Sequence, residues 1–208
     1  MPGLKPLAQS FVRELYLIGT HHTYQYGVGS TYANGCTAEE ETAFRAQVTA
    51  RIKQLGLRAV AEELNEDGLS EHGVCRSVLQ DLAGGIGLRH CFCEPSRAER
   101  IALGVQTEND LRVSAWINDW PQSEVQERML GEFRKRERVW CDRIQQLDVW
   151  PLLFVCGANH VETFSSLLQE RSISVYLLEK CWECPSNARE VTNTSHRSAT
   201  ECGWCSNH

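Results

Sequence analysis

Two histidines in this chain each stand three residues after a glycine, and each glycine closes a short apolar run. The first run is Leu15-Tyr16-Leu17-Ile18-Gly19-Thr20-His21-His22; the second is Leu152-Leu153-Phe154-Val155-Cys156-Gly157-Ala158-Asn159-His160. Unbroken apolar runs of this length suit parallel strands covered on both faces, so each histidine falls where a strand gives out. In an open parallel sheet ligands bind beyond the carboxyl ends of the strands, because loops converge there and helix N-termini point inward. Glu62 or Glu63, and Glu94, also follow apolar runs. Two imidazoles and one carboxylate with open positions form a workable divalent-metal site, able to lower the pKa of water and polarise a carbonyl. The expected ligands are His22, His160 and a glutamate.

Any single Gly-x-x-His is a weak signal, and the weight here rests on the equivalent topological positions of the two. His72, His90, His196 and His208 read as ordinary turn or surface histidines. His21 reads as an acid-base group, an orienting group or simply a neighbour. Glu62 and Glu63 point to opposite faces if both continue a strand, so only one of them can join the histidines. Arg136 interrupts a helical stripe of Val125, Met129, Phe133, Trp140, Ile144 and Leu147. Its stem can lie on the core with its head in water, or its fork can enter the site and stabilise an oxyanion. Arg138, off the stripe, is the fallback.

The elements that must position these groups follow from patterning. Residues 14–18, 57–64, 88–93, 151–156 and 173–178 read as strands. Thr37 and Glu40 form a capping box that starts a helix carrying Phe44, Val48, Ile52 and Leu55, with Gly56 as its stop. Further helices are expected over 71–82, 96–103, 123–147 and 161–171, with 65–70 a turn and 104–121 unassigned. Residues 23–36 read as a mobile loop that shapes a substrate pocket. Strands alternating with helices argue for an α/β fold with a mainly parallel sheet and helices on both faces.

With 208 residues, 42% apolar and 23% charged, the chain suits one ordinary globular domain over 1–179. A net charge of −6 argues against nucleic acid or an anionic membrane as the main partner. No segment approaches the ~20 apolar residues of a membrane span. Residues 1–10 lack the pattern of a signal peptide, so a cytoplasmic protein is expected. Ten cysteines in that setting read as thiols or metal ligands rather than disulfides.

From residue 180 to 208 the composition turns polar. Cys181-Trp-Glu-Cys184 and Cys202-Gly-Trp-Cys205, 17 residues apart, have the spacing of a four-cysteine zinc site. Zinc there would be structural or partner-recruiting, since four thiolates leave no open position.

In four segments the chain resembles the TraB/Tiki family, within a wider group that includes ChaN-like and erythromycin-esterase-like proteins. These are Leu17-Ile18-Gly19-Thr20-His21-His22, Val60-Ala61-Glu62-Glu63-Leu64, Arg136-Glu137-Arg138-Val139-Trp140 and Phe154-Val155-Cys156-Gly157-Ala158-Asn159-His160, in the family's order. The similarity covers about residues 14–64 and 125–179. It implies an α/β fold and, for Tiki-type members, metal-dependent peptide hydrolysis. His22, Glu63, Arg136 and His160 take the positions of the family's histidines, glutamate and arginine. The ChaN-like relatives bind haem.

Two functions are therefore expected in competition. The first is a metal-dependent hydrolase of peptide or amide bonds using zinc, manganese or cobalt. It relies on His22, His160 and Glu63 at the metal and on Arg136 and His21 in catalysis. The second is a non-catalytic module holding haem or a small anionic metabolite in the same pocket, or recruiting a protein partner through the tail.

Overall fold

The structure, a computed structural model, describes residues 12–185. Five strands, β1 (Glu14–Thr20), β2 (Ala59–Glu62), β3 (Arg89–Phe92), β4 (Leu152–Gly157) and β5 (Ser174–Trp182), form one sheet in the order β3-β2-β4-β1-β5, with every pairing parallel. The helices are α1 (His22–Tyr26), α2 (Ala38–Leu55), α3 (Glu66–Glu71), α4 (Val78–Ile86), α5 (Arg97–Ala102), α6 (Glu108–Asn118), α7 (Gln122–Leu147) and α8 (Val161–Glu170).

Alternation along the strands builds two apolar layers. Leu15, Leu17, Ala59, Ala61, Leu152 and Phe154 face Trp140, Ile144, Phe164 and Leu168 of α7 and α8. Ile18, Val60, Leu153 and Val155, one residue out of phase, face Phe44, Val48, Ile52, Val78, Leu79 and Ala83 of α2 and α4. Each fully buried Leu, Ile or Phe in these layers stabilises the fold by about 1.5–3 kcal/mol. This is the expected α/β architecture, with helices on both faces of a parallel sheet.

Helix α2 starts at the expected capping box, where Thr37 accepts from the Glu40 backbone, and ends at Gly56 in the left-handed region with φ 60°. Several local expectations shift. Residues 23–36 open with α1, because the His21 side chain accepts from the Thr23 backbone and caps a short helix that apolar periodicity does not announce. The helix expected over 71–82 divides: α3 is capped by Asn65, and α4 begins only after Ser77, which accepts from Gln80. Between them Gly73 adopts φ +72°, which a continuous helix excludes. In the unassigned stretch, Thr107 and Asp110 form a capping box and start α6.

Strand β5 also runs past its expected end through Trp182, whose ring packs edge-on against Tyr24 at 4.9 Å between centroids. Cys181 therefore lies in β5, and Cys184 is buried beside α2 and α4. Cys202 and Cys205, the other half of the expected zinc site, lie outside the described residues, as do His196 and His208. No disulfide joins the described cysteines. Among the described residues no helix is long and apolar enough to cross a membrane.

Candidate active site

Strands β1 and β4 are direct neighbours, with Gly19 opposite Cys156 and Thr20 opposite Gly157. The two Gly-x-x-His segments therefore leave the sheet side by side. His22 opens α1; His160 ends a single 3-10 turn, Ala158–His160, that leads into α8. Strand β2 lies on the other side of β4 and ends at Glu62, which delivers Glu63 to the same edge.

The strand-parity question resolves cleanly. Glu63 Oε1 lies 3.3 Å from His160 Nε2 and 3.7 Å from His22 Nε2. Arg136 reaches across from α7, its NH2 donating to Glu63 Oε1 and its NH1 standing 3.3 Å from His160 Nε2. Three groups picked out in the sequence thus converge on one carboxylate oxygen of a fourth. Arg138 is exposed and takes no part.

The two glycines serve close approach more than turning. A Cβ at Gly19 would meet the Lys180 carbonyl oxygen at 2.1 Å, so the residue allows β5 to pack against β1. A Cβ at Gly157 would stand 3.0 Å from His22 Nε2 and 3.3 Å from Glu63 Oε2, and the Gly157 N–H donates to that same Oε2 at 2.8 Å. Neither glycine lies in the left-handed region.

The protonation of both imidazoles follows from their second nitrogens. Glu62 is buried and accepts from Gln25 Nε2 at 3.2 Å, which orients the Gln25 amide so that Oε1 faces His22 Nδ1 at 2.8 Å. Nδ1 of His22 then donates, and in the neutral ring the Nε2 lone pair is left toward Glu63. His160 Nδ1 stands 2.9 Å from Glu137 Oε1, which also accepts from Thr163, so in the neutral ring Nε2 is again the lone-pair nitrogen. Carboxylate or amide partners of this kind fix the tautomer of metal-binding histidines. Phe133 and Trp140 hold the His160 ring, with centroids 4.1 and 4.9 Å away.

Glu94, past the end of β3, is the anchor for Arg136. It accepts from Arg136 Nε at 2.8 Å and NH2 at 2.9 Å, from Trp140 Nε1 at 2.9 Å, and from Arg100 at 2.8 Å. Burial opposes the guanidinium charge, but the carboxylates of Glu94 and Glu63 outweigh it and push the Arg136 pKa up. For Glu63, burial alone would raise the pKa. The imidazolium forms of His160 and His22, the Arg136 guanidinium and the Gly157 N–H together bring it down to about 2.

The centre is rich in negative charge. Glu62, Glu63, Glu94 and Glu137 are all buried; Arg136 and the partly exposed Arg100 pair with Glu63 and Glu94, whereas Glu62 faces His90 Nε2 at 2.8 Å and Glu137 faces His160. Glu137 Oε2 is buried without a hydrogen-bond partner. The surplus of carboxylates over guanidinium groups favours further positive charge in the centre, from protonated histidines or from a cation.

In donor type, and in their neutral tautomers, His22, His160 and Glu63 match the ligands a divalent ion takes, and the two imidazole-to-carboxylate distances are near those of a shared ion. Ligand atoms on a tetrahedral ion with bonds of ~2.0–2.2 Å stand roughly 3.3 Å apart, and the imidazole-to-carboxylate distances are 3.3 and 3.7 Å. As the side chains stand, no group of three or more His, Cys, Asp or Glu among the described residues is placed to hold a metal ion. The hydrogen bond from Arg136 to Glu63 Oε1 shares the oxygen that such an ion needs.

Sequence reasoning offered Glu62 only as the alternative to Glu63 and did not assign Gln25, Glu137, Thr163 or Tyr32 to the centre. Gln25 follows His22 by one helical turn and Glu137 adjoins Arg136, which are the signals that could have found these two. Tyr32, from the expected pocket loop, lies 6.0 Å from the His22 ring between centroids. His21 is drawn into capping α1 through Nδ1. Next to Arg136, a cavity of about 170 Å³ opens between α5, α6 and α7, lined by Arg100, Val105, Leu111, Met129, Glu132 and Phe133 among others.

Fold and site define an α/β protein with a histidine, glutamate and arginine centre at the carboxyl edge of a five-stranded parallel sheet. No protein-family model matches the chain, and neither does any curated protein or solved structure.

Proposed function

We propose that the chain is a metal-dependent hydrolase of TraB/Tiki type, acting on a peptide or amide bond. The observation that carries this reading is the approach of His22 Nε2 and His160 Nε2, both with Nδ1 committed to an acceptor, to Glu63 Oε1. His22, His160 and Glu63 hold the ion, with zinc, manganese and cobalt as its candidate identities. When bound, such an ion supplies a water of lowered pKa and polarises the substrate carbonyl.

The chain's own residues do the remaining work. Gln25 and Glu137 keep both Nε2 lone pairs aimed at the ion site. Arg136, held in place by Glu94 and Trp140, presents a fixed guanidinium to the oxygen on which negative charge develops. His21 acts through its cap on α1, which sets the direction of His22. Substrate enters beside Arg136, where Val105, Leu111, Met129 and Phe133 offer apolar contact. The cysteine-rich tail is left the role of a zinc-stabilised partner contact.

Manganese tests the ion site selectively, because it prefers carboxylate and imidazole to the four-thiolate set of the tail. Titration calorimetry on the full chain should give one manganese site in the wild type and none when His22 and His160 are both alanine. Equal binding by both proteins overturns the site. Manganese binding with no cleavage of any peptide in a mixed library leaves the ligand-binding module as the function.

A further inference from the structure

We propose that Cys91 and Cys93 form a redox-active dithiol that exchanges with small disulfides such as oxidised glutathione. Cys91 sits in β3, an edge strand of the sheet, and Cys93 follows it with its backbone N–H still donating to Glu62 O at 2.8 Å. Residues two apart on an extended chain face the same side. The two sulfurs are accordingly 3.8 Å apart, with the Cys93 thiol donating to Cys91.

The two thiols differ in the way an exchange pair requires. Cys91 is partly exposed and Cys93 fully buried. The Cys93 hydrogen bond lowers the Cys91 pKa, and although burial opposes it, His90 and Arg143 help to bring it to about 7. Burial, followed by the hydrogen bond and charge of Cys91, raises that of Cys93. Arg143 is fixed next to the pair by donating to Glu94 O at 2.8 Å. A thiolate in an electropositive, accessible setting is the attacking group in exchange, and its buried neighbour is the resolving one.

The Cys91 thiolate attacks one sulfur of the small disulfide; a mixed disulfide forms, the original S–S bond breaks and one thiolate departs. Cys93 then attacks the Cys91 sulfur, its proton passing to the second departing thiolate. Two protein thiols are oxidised to one disulfide, and one small disulfide is reduced to two thiols. Two residues of extended chain span about 6.6 Å between Cα atoms, near the upper limit for a disulfide, so the bridge is strained and readily reduced.

Mass spectrometry on the intact, folded chain tests this. The protein is incubated with oxidised glutathione, acid-quenched, unfolded, alkylated and digested with trypsin, which releases residues 90–97 as one peptide. The expected peptide has lost two hydrogens, carries no alkyl group and regains both thiols on treatment with dithiothreitol. A Cys93→Ser variant, checked for folding by circular dichroism, should instead hold glutathione on Cys91. Recovery of the wild-type peptide with both cysteines alkylated, while the exposed Cys75 carries glutathione, overturns the proposal. So does an adduct found on Cys93 alone.

Discussion

The backbone N–H of Gly157 donates to Glu63 Oε2 at 2.8 Å, and the missing side chain of Gly157 is what lets His22 and Glu63 lie against β4. A Gly157→Ala methyl would stand 3.0 Å from His22 Nε2, so the imidazole must shift by a few tenths of an ångström. The fold should survive, since the clash falls on a side chain. Manganese affinity should drop by about 10–100-fold, the usual cost of disturbing a metal ligand's support. Calorimetry beside a thermal melt checks both halves; unchanged affinity contradicts the close-approach argument.

Gly19→Ala should behave in the opposite way. Its methyl would meet the Lys180 carbonyl oxygen at 2.1 Å, and a backbone in the sheet cannot move aside as a ring can. Destabilisation of at least about 1–3 kcal/mol is expected from such overpacking. Urea unfolding measures it, and a shift below half a kcal/mol would refute the assigned contact.

Gln25 and Glu137 act on the histidines rather than on substrate. Gln25→Ala and Glu137→Ala should each weaken manganese binding by about 10–100-fold. Nitrogen-15 spectra of the His22 and His160 rings give a readout that a purely structural role would leave alone: each variant should lose the single-tautomer signature of its own histidine. Persistence of that signature would remove the orienting role.

Arg136→Met should cost about 3–5 kcal/mol, because it leaves Glu63 and Glu94 buried without their shared cation. The loss should fall when pH is lowered enough to protonate the abandoned carboxylates. Denaturant titrations at neutral and acid pH compare the two; a cost independent of pH points to lost packing instead.

Glu63 also sets a pH window for the wild type. Its folded pKa of about 2 lies below the ordinary 4.5, so the unfolded chain binds the proton more readily. The stability it contributes is fully present above pH 4.5 and is lost as the pH falls toward 2. Chemical denaturation between pH 6 and about 2.5 should show a decline that is smaller in Glu63→Gln. Equal slopes in both proteins would detach the acid sensitivity from Glu63.

The parallel α/β plan was legible because buried strands and capped helices leave short-range marks: the apolar runs ending at Gly19 and Gly157, and the box of Thr37 and Glu40. Short helices such as α1 and α3 were not, since their caps at His21 and Asn65 use residues that do as well in a turn. The candidate site was legible as far as one residue per strand end. Its supports were hidden: Gln25 and Glu137 look like surface residues of a helix until the partners that bury them are known.

By itself the sequence determined which groups leave the carboxyl edge of the sheet: His22, the pair Glu62 and Glu63, Glu94 and His160, each tied to the end of its own strand by local patterning. Only the tertiary structure decided that Glu63 rather than Glu62 meets the histidines, and that Arg136 is shared between Glu63 and Glu94. It also decided that the two glycines make room for side chains and backbone from elsewhere. The physical reason is separation along the chain. Strand order β3-β2-β4-β1-β5 brings together residues more than a hundred positions apart, and no short-range pattern encodes which strand lies next to which.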